Sequence, residues 1–133
     1  MPLSVEAEQR KDVASAKFYA KRKDLFTNAQ LAHVGYIIRN LATDIDEDAQ
    51  RALIRNMAVA AKVSEERLMG ADSTVTSPEF QHRQFAVIAA VVKSVVDAYD
   101  LGSGKMIVME FTSRLQMTDA KFDKYRFMHA CGW

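Results

Sequence analysis

Cysteine is nearly absent from this chain of 133 residues: Cys131 stands alone, which excludes an intrachain disulfide and any cysteine-rich zinc site. Net charge is small too, since 18 Lys and Arg stand against 17 Asp and Glu for a formal +1. No global field steers the chain toward nucleic acid or acidic lipid, so any such contact must come from local clustering. The first six residues lack the basic stretch and continuous apolar segment of a secretion signal. A reducing, cytoplasmic setting is the expectation. A membrane-length apolar run is missing as well: Arg83 and Lys93 bracket only nine residues of the most apolar stretch, against roughly 20 needed for a span. No membrane partner is expected.

What is present is helical patterning. Residues 85–96 hold ten apolar residues in twelve, a density that predicts burial on most sides. The β-branched residues Val87, Ile88, Val91, Val92, Val95 and Val96 would suit a strand, but the flanking signals favour a helix. Ser77 and Pro78 form a helix start, and Gly102 a helix end, so a central helix is expected over about 78–99.

Other helices are predicted around it. Residues 5–25 lack Gly and Pro and carry Arg10, Lys11, Lys17, Lys21, Arg22 and Lys23 against Asp12 alone between positions 9 and 23. A second helix over 29–42 follows a cap at Thr27 or Asn28, with Leu31, Val34, Ile38 and Leu41 as its apolar stripe. Gly35 lies inside that stripe, where glycine costs about 0.5–1 kcal/mol relative to Ala, and so marks a close helix crossing. His33, Tyr36, Arg39 and Asn40 make its more polar side, a weaker candidate binding surface. A third helix over 46–62 packs through Ala49, Leu53 and Met57, and Ser64 starts a short one ending at Gly70. Residues 71–77 have loop composition. Residues 105–111 fit a helix better than a short strand at 106–111, because no second strand is available unless a homodimer supplies it. Ile107, Phe111 and Leu115 would be the stripe of that helix. Thr118 or Asp119 caps a last helix from about 120 to 129. The expected fold is thus all-α: one domain over 1–133, a bundle of five or six helices around 78–99.

Several motifs fail their geometric tests. The acids of 43–48 invite calcium, but an EF-hand starting at Asp44 would put Ala49 and Arg55 where Gly and Glu are required. Gly102, Ser103, Gly104 and Lys105 resemble the tail of a phosphate loop, yet Tyr99 and Met106 stand where Gly and Ser or Thr belong. Residues 60–68 have the outline of a helix-turn-helix, but its presented helix begins with Glu65 and Glu66, which repel phosphates. His33, His82 and His129 share no ligand spacing, and Glu79 with His82 supplies one copy of a motif that a di-metal bundle needs twice. Cys131 and His129 sit too near the end of the chain for a held nucleophile. No catalytic, cofactor or metal residue is assigned.

The remaining signals concern binding. Aromatic density at 122–127 makes Phe122, Tyr125, Arg126, Phe127 and Trp133 the candidate protein interface. Arg10, Lys17, Lys21, Arg22 and Lys23 are the candidate phosphate contacts, with Arg10, Lys17 and Lys21 near one line of a helix. A non-enzymatic protein-interaction module, adaptor or inhibitor, binding a protein partner or its own copy, is the leading expectation. A nucleic-acid-binding regulator is the first alternative and a small enzyme with an unrecognised site the second.

Overall fold

The computed structural model describes residues 25–72, 78–119 and 121–133. The basic segment and its five candidate phosphate contacts lie outside the described residues, as do 73–77 of the expected loop. The described residues form an all-α bundle of six helices: α1 Asn28–Asn40, α2 Glu47–Ala61, α3 Glu65–Gly70, α4 His82–Ala98, α5 Leu101–Thr118 and α6 Lys124–Ala130. No described helix is long and apolar enough to cross a membrane.

α4 occupies the centre, packed against α2, α5 and α6. Ile88, Ala89, Val91, Val92 and Val95 are buried, while Ala86, Ala90 and Lys93 form an exposed strip. The helix starts four residues later than Pro78, where the Gln84 side chain accepts from the Gln81 N–H at 2.6 Å. Its end also differs from expectation. The chain turns extended at Tyr99, and Asp100 accepts from the Ser103 N–H at 2.9 Å to start α5. Gly102 and Gly104 therefore lie in the first turn of α5 and do not close α4.

The strand alternative at 106–111 is overturned. These residues are the middle of α5, where Ile107, Phe111 and Leu115 are fully buried along one stripe. An 18-residue helix keeps its backbone bonds within itself, which a lone strand cannot do. α6 is shorter than the sequence suggests: Asp123, not Thr118 or Asp119, is its cap, accepting from the Arg126 N–H at 3.1 Å.

The α1 stripe of Leu31, Val34, Ile38 and Leu41 is buried as its spacing requires. Gly35 explains itself in three dimensions, since a Cβ there would stand 2.7 Å from the Leu68 carbonyl oxygen of α3. α1 and α3 thus cross backbone to side-chain-free backbone, and Arg39 ties the crossing by donating to the Met69 carbonyl at 2.8 Å.

Candidate functional site

Three of these helices begin with the same local grammar. A large apolar residue just before the cap can pack on the fourth residue of a helix, fixing the angle at which the chain enters. Phe26, Phe80 and Phe122 hold the first position before α1, α4 and α6, and Leu31, Phe85 and Phe127 hold the second. In α4 and α6 both partners are phenylalanine. Their rings meet at 5.8 Å for Phe80 and Phe85 and at 5.4 Å for Phe122 and Phe127, between centroids. The two staples then meet each other, with Phe85 and Phe122 at 4.8 Å.

This double staple floors a groove of about 460 Å³ between α4 and α6. Ala86, Ala89 and Ala130 form low walls, and small side chains are what leave the space open. His82, Asp119, Lys121, Asp123 and Arg126 reach its rim. Two carboxylates and two fixed cations balance there, so the rim favours neither an anion nor a cation. The loop that presents Phe122 is fixed locally: Asp119 accepts from the Lys121 N–H at 2.9 Å, and its carbonyl accepts from the Phe122 N–H at 3.1 Å. Such a volume with an apolar floor is in the range of sites that take small ligands or anchoring side chains, ~300–1,000 Å³.

The five residues expected at a protein interface are divided by the structure. Phe122, Arg126 and Phe127 line the groove, with Phe122 half-buried and Phe127 only 4% exposed. Phe127 is therefore floor and core, not a free anchor. Tyr125 and Trp133 are exposed but do not line the groove. Sequence reasoning missed Phe80, Phe85 and the alanines opposite. Their signal was available: residues 80–85 and 122–127 are two copies of Phe-x4-Phe, each with a polar cap second.

Other candidate chemistry is dispersed. Cys131 is fully buried, and desolvation pushes its thiol up to about 12, far from a reactive thiolate. Its neighbour His129 is exposed. On α1, burial lowers the pKa of His33, whose Nε2 has no partner among the described residues; the Arg114 backbone opposes that shift by hydrogen bonding and the Arg114 charge adds to it. The adjacent cation is already engaged: Arg114 pairs with Glu110 at 2.7 Å and lies over the Tyr36 ring at 5.3 Å. Asp97, which opposes its helix dipole, is paired with Lys93 at 2.6 Å. Among the described residues no group of three or more His, Cys, Asp or Glu side chains has an arrangement that holds a metal ion.

The described residues thus form a six-helix bundle carrying an aromatic-floored groove. Compared with protein-family models, curated proteins and solved structures, the chain matches none of them. The geometry carries the functional reading.

Proposed function

We propose that the chain is a non-enzymatic protein-interaction module whose docking surface is the groove between α4 and α6. The observation that carries this reading is the floor of two adjoining phenylalanine staples, their rings tilted against one another, which no described residue covers between the alanine walls. Aromatic anchors in a desolvated pocket contribute a large share of interface energy, and a balanced rim contributes orientation. The occupant that fits is a short segment of a partner protein presenting large apolar side chains to the floor.

Selection of displayed random peptides against the chain tests the proposal. Recovered peptides are expected to carry Phe, Leu or Trp anchors, and Ala86→Trp, which fills the groove from its exposed wall, should abolish their binding. Peptides that bind Ala86→Trp as well as the unaltered chain would overturn it. A salt series of peptide and DNA binding separates the nucleic-acid alternative. Aromatic anchoring persists as salt rises, whereas phosphate contact through Arg10, Lys17, Lys21, Arg22 and Lys23 predicts a steep fall in affinity.

A further inference from the structure

The solvent faces of the long helices differ in kind. On α2 the exposed positions include Glu47, Asp48, Arg51 and Arg55, and on α4 they include Arg83, Lys93 and Asp97. α5 instead exposes Gly102, Met106, Met109, Ser113 and Met117 along one stripe, without a charge among them. Lys105 stands at the edge of the stripe, and Glu110 and Arg114 on the other flank neutralise each other. Met109 is 50% and Met117 71% exposed, and no described residue covers them. An uncharged, methionine-rich helix face is unusual on a free surface and adapts readily to an opposing one.

The order of residues along the stripe is self-complementary. Gly102 precedes Met106 by four residues, and Ser113 precedes Met117 by four. Eleven residues, about three turns, separate the two pairs, so both lie on the same line of the helix. Laid antiparallel on its own copy about a two-fold centred between Met109 and Glu110, the stripe matches itself. Met117 meets Gly102 of the other copy, and Met106 meets Ser113. Each large side chain falls opposite a small one, which is the self-complementarity that an isologous interface requires.

Gly102 also has a use within the chain: a Cβ there would stand 3.2 Å from the Asp100 carboxylate oxygen that accepts from the Ser103 N–H, so the glycine leaves room for the α5 cap as well as for an opposing side chain.

We infer that this chain self-associates as an antiparallel two-fold dimer through the α5 face formed by Gly102, Met106, Met109, Ser113 and Met117. None of the residues lining the groove between α4 and α6 belongs to that face. A helix of 18 residues is about 27 Å long and covers less than the ~800 Å² per partner of a standard interface, so the dimer is a weak one.

Sedimentation equilibrium on the full chain, over a range reaching about 500 µM, tests the inference. The unaltered chain should follow a monomer–dimer equilibrium. Met106→Glu and Ser113→Lys should each weaken it by about tenfold or more, because each charge is buried against an uncharged neighbour. Combined in one chain they face each other across the two-fold, and affinity should return to within about threefold of the starting value. Positions 106 and 113 are seven residues apart, too far along the helix to pair within one chain. Arg55→Glu on α2 should leave association unchanged. Since all three sites are exposed, the helical circular dichroism of every variant should match the parent and so separate dissociation from unfolding. A chain that stays monomeric throughout the range, whether residues 1–24 cover the stripe or nothing does, overturns the inference. So does a double variant no tighter than either single one.

Discussion

The start of α4 meets the start of α1 on one side and the start of α6 on the other, and the two junctions are built to opposite ends. Toward α1 the contact is polar and closed. Gln30 and Gln84, each the third residue of its helix, exchange side-chain amide bonds at 3.0 and 2.9 Å. Each also accepts from its own cap backbone, Gln30 from the Thr27 N–H and Gln84 from the Gln81 N–H. Their remaining donors go to the carbonyls of Glu79 and Leu25. Both side chains are at least nine-tenths buried, and the amide groups of both are fully engaged. Toward α6 the third helical residue is Arg126, which is exposed on the groove rim, and the contact falls to phenylalanine rings that leave space between them. A buried polar pair with every bond made holds architecture in one register. Apolar surface left open beside it costs stability unless something else covers it. The same helix start thus closes one junction with buried hydrogen bonds and lines an apolar groove at the other.

The contrast can be broken most severely on the polar side. Gln84→Ala orphans the Leu25 carbonyl, the Gln81 N–H and half of the Gln30 amide, and should cost about 2–4 kcal/mol of unfolding free energy in urea titration. Gln30→Ala should cost a similar amount, and the two together less than their sum, because both remove the same pair. On the apolar side the loss should be milder. Phe122→Ala removes a half-buried ring and one partner of the α6 staple, for about 1–2 kcal/mol by the same titration. If Phe122→Ala proved as costly as Gln84→Ala, the groove would be core, not a surface held in reserve. The smallest change sharpens the comparison. Arg126→Gln gives α6 the acceptor that α1 and α4 already have at that position, allowing a capping box with Asp123. A gain of about 0.5 kcal/mol is expected, visible as a small rise in Tm.

Much of the frame was legible because helical periodicity and caps are local signals. The stripes of α1 and α5, the Thr27 and Ser64 caps and the crossing at Gly35 could all be read from neighbours in sequence. The misplaced boundaries have a common cause. Ser77 with Pro78 and Asp100 with Gly102 are each good punctuation, but the backbone obeyed the side chains that completed bonds: Gln81 with Gln84, and Asp100 with Ser103. The groove was half legible. Phe122 and Phe127 stood out by density, whereas Phe80 and Phe85 read as part of an apolar helix until the matching spacing placed them opposite. Nothing in the sequence pairs Gln30 with Gln84, which lie 54 residues apart and meet only when the starts of α1 and α4 converge. The composition of α5 showed no charge-free face until its buried stripe was known, since the outer stripe is defined by subtraction.

The most direct test of the docking reading is amide chemical-shift mapping of the isotope-labelled chain during titration with a peptide selected for binding. The account predicts that the largest shifts fall on Ala86, Ala89, Lys121, Phe122 and Ala130, and that Ala86→Trp removes them while its own spectrum stays that of a folded bundle. Shifts centred on another face, or a titration that Ala86→Trp leaves unchanged, would contradict it.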